Sequence, residues 1–305
     1  MSTSLLLVQS LNGLQLGMLL FLIAAGLTLV FGVLDVVNLA HGAQYMIGAY
    51  AVVVFSALTS SFWAGLILAT LAALLSGFVL ERLVLRFVLG RSHLDQVLAT
   101  YGLILLLEEG ARALFGAAPL SLPLPEALAG TVALADGLRY PLYRLFLLGA
   151  GLLAALVLWL VIEHSRVGMW VRAGASDAEM LAALGIDTQR LFAVVLAAGA
   201  MLAGFAGALA APLVSVEPSM GGNVLILAFV VIVLGGTGSV RGAFVGAILI
   251  GLADTLGREL LSEGLHAVLS ASAARQAGPA MASMLIYLLM AGVLVVRPRG
   301  LLGAE

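Results

Sequence analysis

Cysteine is absent from the 305 residues, and so is lysine. Without cysteine there is no disulfide framework, no thiolate nucleophile and no cysteine metal site. Without lysine there is no P-loop, whose Lys must reach the β- and γ-phosphates, so the chain carries no ATPase site of that kind. Charge of either sign is scarce. Fourteen arginines and 16 acidic residues make up 10% of the chain, where a soluble domain holds roughly a quarter. No basic patch of useful size forms, which excludes nucleic acid as a partner. What is abundant is apolar: 63% of residues are hydrophobic and the mean hydropathy is +1.18. A soluble fold cannot be clothed in so little polar surface, so membrane lipid is the expected surrounding.

A helix needs about 20 apolar residues to cross a bilayer core. Uncharged runs cover Met1 to Leu34, Met46 to Leu80, Leu145 to Ile162, Leu191 to Val216, Pro218 to Val240 and Ala277 to Val296, with a polar turn at Thr59-Ser60-Ser61. Leu94 to Phe115 is mostly apolar, and Gly242 to Leu256 is shorter and glycine-rich. These predict an all-α, polytopic transmembrane bundle of eight or nine segments, some broken or re-entrant, forming a single transmembrane domain over 1–305. No cationic region precedes the first run, so Leu11 to Leu34 reads as a retained helix rather than a signal peptide. Arginine favours the cytoplasmic side of short loops. Arg82, Arg86, Arg91, Arg166, Arg172, Arg190, Arg241, Arg297 and Arg299 fall on one side if there are nine crossings, giving an N-terminus outside and a C-terminus inside. Arg112, Arg139, Arg144, Arg258 and Arg275 lie at or beyond the other face. Arg112 and Arg258 follow Glu108 and Asp254 by four residues, the spacing of a helical ion pair.

The polar connection 163–190 carries helix signals at both ends. Ser176 and Glu179 have the spacing of a capping box. Asp177 and Glu179 add negative charge where the helix dipole favours it. Ala178, Met180, Leu181, Ala182, Ala183 and Leu184 propagate a helix of about two turns, and Gly185 suits a left-handed C-cap. So short a helix is marginal alone in water, hence something must pack on it. Met180, Leu181 and Leu184 form a narrow ridge that fits a partner's groove, or else packs on the protein's own helix ends or on lipid headgroups.

The run Arg172-Ala-Gly-Ala-Ser-Asp-Ala-Glu-Met-Leu-Ala-Ala-Leu-Gly-Ile-Asp-Thr-Gln-Arg190, followed by Met201-Leu-Ala-Gly-Phe-Ala-Gly207, resembles the coupling region of bacterial ABC importer permeases. Gly26-Leu-Thr-Leu-Val-Phe-Gly32, Asn38-Leu-Ala-His-Gly-Ala-Gln44 and Leu234-Gly-Gly-Thr-Gly-Ser-Val-Arg-Gly-Ala-Phe-Val-Gly246 point the same way, most closely to the LivH-type family of branched-chain amino acid permeases. The resemblance implies a subunit of the inner membrane, without an enzymatic site or cofactor of its own. It pairs with a LivM-type second permease, with two cytoplasmic ATPase subunits that consume ATP, and with a periplasmic solute-binding protein. It also implies that Ala178 to Asp187 is the coupling helix, with Gly185 as the family's glycine. Relatives of this type also move urea, short amides and aromatic acids.

Polar groups inside a membrane are functional candidates. Asn38, His41 and Gln44, three residues apart, share one face of a helix and either line a translocation path or bond to adjacent helices. The segment from Gly235 to Gly242 lacks the spacing of a dinucleotide fingerprint and reads as a tight turn between two helices. Arg241-Gly242-Ala243 echoes His41-Gly42-Ala43, the trace of an internal repeat. Gly199, Gly204 and Gly207 make one helix smooth enough for close packing. The loop Gly116 to Tyr140, with Pro119, Pro123 and Pro125, is expected to be extended or turned. His93, His164 and His266 lack metal-ligand spacing, so no metal is assigned. A stand-alone secondary transporter or channel would need a mid-membrane relay of ionisable groups, and a hydrolase a Gly-x-Ser-x-Gly elbow; neither pattern occurs.

Overall fold

A computed structural model describes residues 3–135, 138–266 and 270–303. Helix α1 (Thr3–Leu34) is followed by α2 (His41–Thr59) and α3 (Phe62–Leu80); α3 continues through a π-helical turn, Glu81–Leu85, into the short α4 (Arg86–Val88). Then come α5 (His93–Phe115), a hairpin of β1 (Thr131–Ala135) and β2 (Leu138–Pro141), and α6 (Leu142–His164). The connection after α6 holds α7 (Arg166–Ser176) and α8 (Ala178–Ala183), and the chain ends with α9 (Thr188–Ala210), α10 (Met220–Gly235), α11 (Val240–Leu265) and α12 (Ala271–Val296). Among the described residues seven helices are long and apolar enough to cross a membrane, and α10 is a shorter apolar helix. The bundle is all-α, as lipid demands: backbone polar groups without water must bond within their own segment.

The turns follow from local chemistry. Ser60 takes a left-handed conformation, and the Ser61 hydroxyl accepts the Ala64 amide at the start of α3. Between α10 and α11, Gly236 and Gly238 have φ of 107° and 78°, and the Ser239 hydroxyl accepts the Gly242 amide at 3.0 Å. The helix–turn–helix expected there is therefore present. The loop before α6 is extended or turned, with a 3-10 turn at Glu126–Leu128 after Pro125, although the hairpin itself was not expected; Asp136 and Gly137, between β1 and β2 in the sequence, lie outside the described residues.

The chain divides into two compact units, one of Met1–Phe21, Glu126–Leu152 and Phe229–Glu305, the other of Leu22–Pro125 and Leu153–Ala228. In the first, the Tyr140 hydroxyl donates to Asn12 Oδ1 at 3.0 Å, and the Arg144 guanidinium donates to the same atom. Burial pushes the Tyr140 phenol above its usual pKa, with Arg144 pulling it partly back, so it remains a donor at neutral pH. Arg258 grips Asp254 through Nε and Nη2 at 2.7–3.0 Å, the i,i+4 pair read from the sequence. In the second unit, Arg112 pairs with Glu109 at 3.1 Å, one residue nearer than the Glu108 expected, because i,i+3 neighbours share a helix face as closely as i,i+4 ones do.

That second unit is held by close backbone approach. A Cβ on Gly26 would lie 2.6 Å from the Gly199 carbonyl oxygen, and one on Gly42 would lie 2.5 Å from that of Gly221. A Cβ on Gly48 would collide with the Gly204 carbonyl, and one on Gly207 with that of Tyr45. In lipid, helix association rests on such contacts rather than on hydrophobic burial. Outward faces are large and apolar instead: Ile67, Leu71 and Leu75, four residues apart on α3, are all exposed. Gly48→Val is expected to cost more than about 2 kcal/mol through overpacking, seen as a lower thermal midpoint in detergent. Gly292→Ala, at a position with no atom near its would-be Cβ, leaves the midpoint unchanged or higher.

Candidate functional site

Two helices, α7 and α8, build the polar connection between α6 and α9, where sequence patterning indicates only α8. The Ser165 hydroxyl caps α7 by accepting the Gly168 amide at 3.0 Å, and the Arg172 guanidinium donates to the Ile162 carbonyl. The signal for α7 lay in Val167, Trp170, Val171 and Gly174, spaced i, i+3, i+4, i+7; Val171 and Gly174 are buried.

A single extended residue, Asp177, ends α7 and starts α8. Its carboxylate accepts the Met180 amide at 2.8 Å. The cap is thus Asp177, not Ser176, and no capping box with Glu179 forms. Ser176 is the last residue of α7 and keeps helical geometry, whereas a cap must be non-helical so that its side chain can fold back on the amides ahead. At the other end the expectation holds. Gly185 has φ of 86°, its amide reaches the Ala182 carbonyl at 2.9 Å, and the Ile186 amide reaches that of Leu181 at 3.3 Å. This pair of bonds is a Schellman motif. Asp187 then caps α9, accepting the Arg190 amide at 3.0 Å and pairing with the Arg190 guanidinium at 2.8 Å.

The apolar ridge of α8 is divided between two surroundings. Leu181 is buried against the protein itself: its methyl group, those of Leu191 and that of Val33 all crowd Gly174. Met180 and Leu184 point away and are 58% and 73% exposed, beside the exposed Ala182, Ala183 and Glu179; Ala178 is half-buried. The own-protein reading therefore applies to Leu181, while Met180 and Leu184 are left exposed. A groove of about 270 Å³ runs between α7 and the turn into α9, bordered by Trp170, Gly185, Ile186 and Arg190.

The second candidate set lies where α1 gives way to α2. Asp35 has φ of 49° and the chain stays non-helical through Asn38. Asn38 is consequently not on the helical face of His41 and Gln44, because α2 begins only at His41, whose amide bonds to the Asn38 carbonyl at 3.2 Å. All three side chains are buried. The His41 Nε2–H donates to the Ile23 carbonyl at 3.1 Å, fixing that tautomer. Gln44 Oε1 accepts the Ser76 hydroxyl at 2.5 Å. Asn38 Oδ1 is buried without a hydrogen-bond partner among the described residues. Nor do the described residues include three or more His, Asp or Glu side chains grouped to hold a metal.

The arrangement can now be set beside known proteins. A family model described as the permease component of branched-chain amino acid transport systems matches residues 9–294. The chain belongs to this family. High-affinity branched-chain amino acid transport system permease protein LivH of Escherichia coli (strain K12) is 31% identical over 307 residues, covering 97% of this chain and 94% of the relative. LivH of Salmonella typhimurium shows the same identity and coverage. The permease protein BraD of Pseudomonas aeruginosa is 30% identical over 309 residues, 97% of this chain and 95% of the relative. Comparison with solved structures returns no match. The chain is an integral membrane permease component, and the match extends over nearly its whole length, α7 and α8 included.

Asp177→Ala removes the α8 cap and is expected to cost about 1 kcal/mol, raising hydrogen exchange across 178–184 roughly fivefold, whereas Ser176→Ala leaves that exchange unchanged.

Proposed function

We propose that the chain is the membrane-spanning subunit of an ABC importer for branched-chain or related amino acids, in which α8 receives the stroke of cytoplasmic ATPase subunits. The observation that carries this reading is the division of α8 itself. A helix of this length gains little from its own hydrogen bonds, yet it is capped at both ends, anchored by one buried leucine, and presents Met180 and Leu184 to the outside. A helix whose only task was to close a loop would have no use for two large exposed apolar side chains at its tip. The absence of lysine supports assigning ATP hydrolysis to separate subunits. Arginine placement supports α8 and the C-terminus on the cytoplasmic side of the inner membrane. The names of the relatives support branched-chain amino acids as cargo, and their family supports a second, LivM-type permease and a periplasmic binding protein as further partners.

Within the membrane His41 and Gln44 serve to tie α2 to α1 and α3, since both have partners. Asn38 is the member of the trio left as a candidate for the solute path, because its carbonyl oxygen has no partner among the described residues and would accept from an ammonium group if a rearrangement of the helices opened it to the path. The bilayer leaves such a group unpaired only at a cost.

Gly185 is the sharpest test of coupling. Nothing stands near its would-be Cβ, so a substituent meets backbone strain alone, about 1–3 kcal/mol at a positive φ. Gly185→Val is expected to unwind the end of α8 and reduce ATP-driven uptake by tenfold or more, while the protein still assembles in the membrane; unchanged uptake refutes the coupling role. Separately, cysteines introduced at Met180 and Leu184 should cross-link to an ATPase subunit when the complex is isolated. A cross-link formed only to lipid or within the chain overturns the docking assignment.

A further inference from the structure

Where α3 ends, the helix widens into the π-helical turn Glu81–Leu85, in which the Arg86 amide reaches back five residues to the Glu81 carbonyl. Such turns are rare and re-aim side chains at functional positions. Glu81 is 7% exposed, yet among the described residues its carboxylate has neither an ion-pair partner nor a side-chain hydrogen bond. Its oxygens are not among the fully buried unpartnered atoms, so an otherwise buried side chain opens its unpaired carboxylate to a groove, where a cation from outside the chain can reach it. Glu81 borders an open groove of about 500 Å³ together with Arg82, Arg190, Phe78, Val79, Ala193 and Val194. Charged and apolar linings are segregated by position along the two spans. Phe78 and Val79 lie in the last turn of α3, and Ala193 and Val194 sit one turn inside α9. Glu81, Arg82 and Arg190 lie at the ends of the same helices, where headgroups meet a bilayer protein.

The charges facing the groove are Glu81, Arg82 and Arg190, the last held by Asp187. Two positive and two negative groups leave it neutral, unlike the basic pockets that select anionic lipids. A neutral groove lined by one unpaired carboxylate and two guanidinium groups fits a zwitterion, the ammonium on Glu81 and the anion on the arginines. The wall beyond them is apolar and open to the bilayer, with Val79 51% exposed, which suits a chain longer than the groove rather than a small solute enclosed by it. We propose that this groove binds a phospholipid with a primary-amine headgroup: the ethanolamine ammonium donates to Glu81, the phosphate accepts from Arg82 and Arg190, and an acyl chain lies along Phe78, Val79, Ala193 and Val194.

The test is lipid retention by the full-length protein, purified with whatever subunits accompany it, delipidated, and returned to nanodiscs of equal parts phosphatidylethanolamine and phosphatidylcholine. Native mass spectrometry then reads the lipid that stays bound. A choline headgroup carries no N–H, so the ethanolamine lipid should be retained about tenfold over the choline lipid. Glu81→Gln should bring that ratio to near one, and Arg82→Gln should lower retention of both lipids. Val79→Trp adds bulk to an exposed wall without disturbing the core and should expel both, which keeps the test open should Glu81→Gln fail to fold. Equal retention of the two lipids by the unmodified protein overturns the proposal. So does a ratio unchanged by Glu81→Gln, or retention unaffected by Val79→Trp. Displacement of the lipid by free leucine also overturns it, and would make the groove an amino acid site instead.

Discussion

Contact between bare helix backbones is the constraint on which the larger unit depends. Along α9, Gly199 meets Gly26, Gly204 meets Gly48, and Gly207 meets the Tyr45 carbonyl. In water such surfaces would contribute little. In lipid, where the surroundings are as apolar as leucine, close approach of the backbones supplies the van der Waals energy that holds helices together. There are no rotamers in these contacts to absorb a displacement. A force applied to the base of α9 is therefore passed to α1 and α2 by the helices themselves. The base of α9 is also where Asp187 and the Gly185 turn fasten α8, and Leu181 locks that junction to Gly174, Leu191 and Val33. Close backbone packing along α9 and a capped, anchored α8 at its base thus belong to one unit.

Polar side chains inside the same unit reinforce it at the two places where glycine cannot. His41 ties the first turn of α2 to the Ile23 carbonyl, and Gln44 ties the next turn to Ser76 of α3. Each bond satisfies a group that would otherwise stand unpaired in a low-dielectric medium. Thr100 on α5 similarly reaches the carbonyls of Gln96 and, at 3.4 Å, Val37, so the non-helical stretch before α2 is held from both sides. Asn38 Oδ1, by contrast, is buried without a partner among the described residues, as are Thr28 Oγ1 and Gln96 Oε1 in the same unit.

Much of this was legible in the amino-acid sequence, for identifiable reasons. Long uncharged runs mark spans because the bilayer admits nothing else. Gly185, Ser60-Ser61 and the glycines from 235 to 242 mark turns because their backbone geometry or capping chemistry leaves few alternatives. The misreadings share a cause as well: they were choices between near neighbours that local pattern leaves balanced. Ser176 and Asp177 are both good caps, and which of them leaves the helix depends on where α7 stops. Glu108 and Glu109 both reach Arg112. Asn38 continues the three-residue spacing of His41 and Gln44, but Asp35 has already broken the helix. The amphipathic stripe of α7 was present and went unread inside a segment taken as loop. The two exposed and one buried positions of the α8 ridge follow from packing on Gly174, a residue that by itself announces nothing.

Arg190 joins the two surfaces through which this permease component meets its surroundings. It borders the groove beside Trp170 and Ile186, under the α8 turn, and also the groove of Glu81. Its guanidinium pairs with the same aspartate that caps α9 by accepting the Arg190 amide. If the lipid groove and the α8 docking surface are both occupied as proposed, headgroup and partner meet at this one side chain, so a substitution of Arg190 would be felt on both faces.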